Sequence, residues 1–252
     1  MHALLIAVSL LSGKVPVATP AAAPGHDIVA GNGDYAFRYS YPAAAEHIRA
    51  LKTRLDEDAA RQKEAIVGEA RAGRDEAKDG GRPFGPYEST TEWKVVTDLP
   101  NWLSLSGFSG EYTGGAHPNH EPTALLWDKA RSRQVEATDL FVTKAAFSAA
   151  VRERFCAELN RQRANKRGAP VDPTSTDPDD VCLNPADTVV ILGSADHAHF
   201  TRVGFLMGPY AAGPYVEGDY EVTLAVTPAL LSAVRPEYRD AFAVPPTAQA
   251  SK

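Results

Sequence analysis

The residue with the most chemical potential is His117, set in Tyr112-Thr113-Gly114-Gly115-Ala116-His117-Pro118-Asn119. An imidazole titrates near neutrality, so it can serve as general base, metal ligand or ligand contact. The paired glycines license positive φ and close backbone approach, and Pro118-Asn119 tightens the same turn. Such a turn holds His117 at the mouth of a sheet. A structural role competes with the chemical one, in which the ring hydrogen-bonds local backbone and fixes the turn.

Other groups offer competing chemistry. His117 with His120 and His197 with His199 form two close pairs, and alternate strand positions put the second pair on one face, but no HExxH spacing occurs and no metal is expected. Ser104, Ser106 and Ser109 lack a GxSxG elbow. Asp177, Asp179 and Asp180 lack the Gly and terminal Glu of a calcium loop. No catalytic residue and no cofactor are therefore assigned. A second stretch, residues 210–220, holds three tyrosines with Gly213, Pro214, Glu217 and Gly218, and tyrosine offers broad amphipathic contact at low entropy cost. The candidate ligand-binding set is Tyr112, Gly114, Gly115, His117 and Asn119 with Tyr210, Gly213, Pro214 and Tyr215.

These residues need elements to position them. Residues 35–41 alternate Tyr35, Phe37, Tyr39 and Tyr41 on one side, a period-two strand. Residues 43–78 are rich in helix formers, with Ile48, Leu51, Leu55, Ala59, Ile66 and Ala70 at steps of three and four, which predicts one long amphipathic helix with a solvated charged half. Strands follow from residue 92, with Trp93, Val95 and Thr97 on one face and a bulge at Gly107. The glycine turn then joins two antiparallel strands. Within residues 144–163, Phe147, Val151, Phe155 and Leu159 recur every four positions, so one helix face packs on a sheet. Residues 188–192, 201–207 and 220–226 read as strands, and Thr227-Pro228 starts a closing helix.

The fold expected is α+β: an antiparallel sheet with one long N-terminal helix, plus a second helix-on-sheet half. The glycine turn is read as the joint between the halves. The divisions are residues 1–23, 30–128, 129–243 and a tail, 244–252. Residues 3–12 are an apolar run of about ten, shorter than a bilayer span and suited to a signal peptide over residues 1–23. No later run approaches 18 apolar residues, so no stable membrane span is expected after cleavage, and the location expected is periplasmic or secreted. In an exported chain, Cys156 and Cys182 read as a disulfide closing a loop of about 27 residues, worth roughly 3.5 kcal/mol in the chain-entropy model. That bond would tie down the polar, acidic stretch 165–184. A net charge of −6 with both signs mixed excludes a nucleic-acid binder, which needs a basic face.

Residues 35–42, 112–119, 138–141 and 210–222 together resemble the paired extracytoplasmic domains of unknown function of the RsiV/PdaC type. These occur in a lysozyme-sensing anti-sigma factor and ahead of a polysaccharide deacetylase domain. The likeness runs over residues 30–243 and implies a PdaC-like domain followed by an RsiV-like one. Neither the sigma-factor-binding segment nor the deacetylase domain is expected here. The resemblance thus implies noncatalytic binding in the cell envelope, toward a peptidoglycan fragment or a lysozyme-like protein. The other function considered is a His- or metal-dependent envelope hydrolase using His117.

Overall fold

The computed structural model describes residues 24–246 apart from residue 173. The expected signal peptide, residues 1–23, and residues 247–252 of the expected tail lie outside the described residues. Six strands form the first sheet in chain order: β1 (Pro24–Gly31), β2 (Tyr35–Pro42), β3 (Tyr87–Leu99), β4 (Trp102–Tyr112), β5 (Asn119–Asp128) and β6 (Arg133–Val135). Every neighbouring pair is antiparallel except β2–β3, which is parallel. Parallel neighbours need a crossover, and helix α2 (Arg49–Asp79) supplies it.

The predicted single helix over 43–78 is broken near its start. A four-residue helix, α1 (Ala43–Glu46), precedes α2, and Ile48 between them is extended, with φ −95° and ψ 97°. Ile48 there packs, partly buried, against the first core. From there α2 buries Leu51, Leu55, Ala59, Ile66, Ala70 and Ala77. Its N-terminal half lies on the sheet face that carries Phe37, Tyr39, Trp93, Leu105, Leu125 and Trp127.

The bulge sits elsewhere than expected. Register shifts between Val95 and Thr97 in β3: Val95 stays on the Trp93 face and packs against the first core, Thr97 does not continue that alternation, and Gly107 pairs regularly with Trp93 and with Thr123. Gly107 is bare for another reason: a Cβ there would meet Thr123 Cγ2 at 2.4 Å and the Trp93 ring at 2.9 Å. The indole occupies the space a side chain would take.

The second half begins with helix α3 (Lys144–Arg167), capped by the Thr143 side chain, which accepts from the Ala146 N–H at 2.9 Å, and ended by Gly168 at φ +72°. The helix runs four residues past the predicted stretch. Its Phe147, Val151, Phe155 and Leu159 are buried, as their spacing predicts. An antiparallel sheet follows: β7 (Val189–Gly193), β8 (Arg202–Met207) and β9 (Tyr220–Ala225), then helix α4 (Pro228–Ala233). Leu99, Trp102 and Leu126 of the first sheet pack into this second core, and the Leu192 N–H donates to Ser104 Oγ at 3.3 Å. Cys156 and Cys182 are bonded, with their Cα atoms 5.6 Å apart. Among the described residues no helix is long and apolar enough to cross a membrane.

The Gly107 geometry is testable. Gly107→Ala should cost about 1–3 kcal/mol in urea unfolding, because neither the indole nor the Thr123 methyl can withdraw freely. Gly33→Ala, with open space around it, should stay within about 0.5 kcal/mol of the parent.

Candidate functional site

The glycine turn is the tip of the β4–β5 hairpin and lies wholly within the first sheet, correcting its reading as the covalent joint between halves. Gly114 and Gly115 take φ of +91° and +112°, values a side chain would strain, so the glycines are required by the turn itself. The Tyr112 hydroxyl donates to the Gly115 carbonyl at 3.2 Å and closes the loop. Asn119 opens β5 and is exposed.

Folding brings the two candidate stretches together across about a hundred residues of chain. The His117 ring stacks on Tyr215, centroids 3.9 Å apart at 23°, and Tyr215 meets Tyr210 at 5.4 Å and 39°. The three rings form a ladder. Pro118 supplies the carbonyl that accepts from the Tyr215 hydroxyl at 2.9 Å and lies 3.0 Å from His117 Nδ1. A carbonyl is acceptor only, so the contact assigns the neutral ring's proton to Nδ1. Tyr210 is 64% exposed and sits at φ +66°, an uncommon conformation for a non-glycine residue. Backbone held in such a region is concentrated at functional sites.

Among the described residues no serine, cysteine or carboxylate hydrogen-bonds to His117. Its neighbour His120 instead pairs with Asp219 at 2.8 Å, while His199 pairs with Asp196 at 3.0 Å. Among the described residues no group of three or more His, Cys, Asp or Glu is arranged to hold a metal.

What fixes the ladder is the last turn of α3. Arg163 is wholly buried and has no carboxylate partner among the described residues; its guanidinium donates to the carbonyls of Ala212 (2.9 Å), Asp180 (2.8 Å) and Val181 (3.3 Å) and to Asn160 Oδ1 (3.1 Å). One side chain thereby joins the disulfide-tethered loop to the tyrosine loop. Arg167 grips Glu217 with two bonds, at 2.8 and 3.1 Å, and reaches Asp180 at 2.5 Å. Gln162 donates to the Glu221 carbonyl at 2.7 Å, and Lys166 to that of Glu217 at 2.6 Å. Basic residues at a helix C-terminus also suit the helix dipole. Gly213 is buried in this clamp, where a Cβ would lie 2.2 Å from Glu217 Oε2. Pro214, extended and exposed, leads into the turn that carries Tyr215.

The clamp perturbs its own groups. Burial, then repulsion from Arg167, lowers the Arg163 guanidinium from its usual value. Burial pushes the Glu217 carboxyl upward, but the hydrogen bonds from Arg167 and Tyr220 outweigh it and hold the group below the usual carboxylate range. The Tyr220 hydroxyl is pushed up to about 12 by burial and by its bond to Glu217.

None of the clamp was read from the sequence, though a signal existed. The apolar series 147, 151, 155, 159 steps next onto 163, where an arginine stands in the buried stripe.

With an α+β fold and a rigid aromatic edge described, comparison with known proteins adds a partial likeness. A family model, Deacetylase PdaC, matches residues 29–120, less than half of the chain, and supports a PdaC-type domain there. No curated protein matches. A crystal structure of a DUF3298 family protein from Pseudomonas aeruginosa is 15% identical, with a TM-score of 0.48, over 86% of this chain and 95% of its own. Another, of a DUF3298 family member from Bacteroides fragilis, is also 15% identical, with a TM-score of 0.46, over 81% and 91% respectively.

Two outcomes test the clamp. Arg163→Met leaves buried carbonyls unpaired and should lower stability by about 3 kcal/mol in urea unfolding. Glu217 has a depressed folded-state pKa, so its contribution is complete at neutral pH and fades as pH falls from the usual carboxylate value through the folded one. Between about pH 5 and pH 3, Glu217→Gln should therefore lose Tm less steeply than the parent, as read by circular dichroism.

Proposed function

We propose that this is an exported, noncatalytic binding protein of the cell envelope that recognises glycan strands through the Tyr210–Tyr215–His117 ladder. The observation that carries the reading is the ladder itself: three rings in file, at an exposed edge, held by a helix terminus rather than left on a free loop. Tyrosine rings present rigid, amphipathic faces with polar tips, suited to the alternating apolar and hydroxyl surfaces of sugars. Exposed backbone at Gly114 and Gly115 and the Asn119 amide lie at the same hairpin tip for hydrogen bonding.

Other features agree with this assignment. The Cys156–Cys182 disulfide fits an oxidising compartment outside the cytoplasm. The PdaC-type match over residues 29–120 fits an extracytoplasmic module, and an RsiV-like second domain over 129–243 is part of the same reading. The matched description names a deacetylase; the binding reading rests instead on the ladder, and among the described residues no serine, cysteine or carboxylate hydrogen-bonds to His117. Peptidoglycan is the preferred glycan, with a lysozyme-like protein as the competing partner.

Sedimentation with purified peptidoglycan sacculi decides the matter. The parent should co-sediment, and Tyr215→Ala should weaken binding roughly tenfold, the loss of about 1.4 kcal/mol of stacking, with a small fall in Tm from the lost Pro118 hydrogen bond. Sedimentation unaffected by Tyr215→Ala, or binding to lysozyme alone, would overturn the glycan assignment.

A further inference from the structure

A cleft of about 390 Å³ opens on the side of the first sheet turned away from α2, where β3, β4 and β5 meet β7, β8 and β9. Alternation supplies its two walls. Trp93 and Leu105 face α2, so Glu92, Lys94, Ser106 and Phe108 point the other way. Phe205 and Val222 belong to the core under α3, so their neighbours Leu206 and Glu221 turn to the cleft. Val96, which the register shift in β3 leaves without a partner, joins them. The volume lies within the range of small-molecule sites, about 300–1,000 Å³.

The floor of the cleft is apolar and its rim is acidic. Val96, Phe108, Pro122, Ile191, Leu206 and Met207 supply the floor, and the Phe108 ring stays 41% exposed although it stacks on His120 at 5.2 Å. Around it stand three carboxylates, Glu92, Asp219 and Glu221, against one ammonium, Lys94. Lys94 is held by Glu92 at 3.0 Å, and Asp219 pairs with His120 at 2.8 Å. Glu221 accepts a 3.5 Å bond from the Thr223 hydroxyl and, among the described residues, forms no ion pair. Cross-strand pairing with Leu206 sets this carboxylate beside the apolar floor.

We infer that this cleft binds an amphiphilic cation, a small molecule with an apolar body and an ammonium head. The body covers the aliphatic floor and the exposed part of the Phe108 ring, removing both from water. The head donates to the Glu221 carboxylate, a charge-assisted bond stronger than a neutral one, and the aromatic ring adds cation–π attraction. Other ligand classes fit worse. A fatty acid or a phosphate ester brings its charge against the three carboxylates, and a sugar strands its hydroxyls on the apolar floor. The cleft shares no residue with the Tyr210–Tyr215–His117 ladder and does not depend on the ladder's role.

The test is calorimetric titration of the whole protein with n-octylammonium and with n-octanoate, which carries the same chain and the opposite charge, both below micelle formation. Octylammonium should bind, with octanoate weaker by roughly tenfold or more. Glu221→Lys should cut the octylammonium affinity roughly tenfold and raise that of octanoate, a reversal that adsorption to an apolar surface would not show. Leu206→Ser should weaken both ligands. Glu221 is exposed, so its variant folds whatever Leu206→Ser does. Tyr215→Ala should bind octylammonium as the parent does, which separates the cleft from the ladder. Absence of octylammonium binding at millimolar concentration, equal binding of octanoate, or an octylammonium affinity unchanged in Glu221→Lys overturns the proposal.

Discussion

A guanidinium buried with no direct ion pair among the described residues organises the C-terminal half. Arg163 cannot lose its proton, so the fold must surround it with acceptors, and it does so with carbonyls from two loops that are otherwise remote in sequence. Those loops cannot separate without stranding the charge. The disulfide fixes one of them to α3 and the Arg167–Glu217 pair fixes the other, so one helix terminus determines where the tyrosines stand. The aromatic ladder is thus a consequence of α3 as much as of its own residues.

The N-terminal half is built on a different economy. There α2 covers an aromatic sheet face, and its polar contacts run through tyrosine hydroxyls and Asp58. Where the sheet turns from large apolar residues to Gly107, Ser109 and Thr123, the helix no longer meets it closely and a polar hollow remains. The same register that seals the core at Leu105 and Leu125 opens it two residues along each strand.

Much of this architecture is legible in the sequence because it rests on local periodicity. The alternation of Tyr35 to Tyr41 and of Tyr220 to Leu224, the four-residue step of α3 and the paired cysteines each report their own environment. The rest depends on distant neighbours. Gly107 looks like a bulge until Trp93 is placed over it, and the solvated stripe expected of α2 includes Asp58 and Gln62, whose partners lie on β2 and β3. Both stretches of the aromatic site were visible, but the stacking of His117 on Tyr215 was not, since no spacing rule links residues so far apart. Arg163 is hidden in the sequence because a charge in an apolar series reads as the end of the series.

The parallel pairing of β2 with β3 bears on how the chain finds this state. β3, β4 and β5 are joined by short connections and can assemble from contacts close in sequence. β2 reaches β3 only after the whole of α2 has been traversed, and closing so long a loop carries an entropic cost before any strand pairing offsets it. Contact order therefore separates the sheet into an early meander and a late-docking β1–β2 ribbon, with the hollow beneath α2 completed only in the second stage.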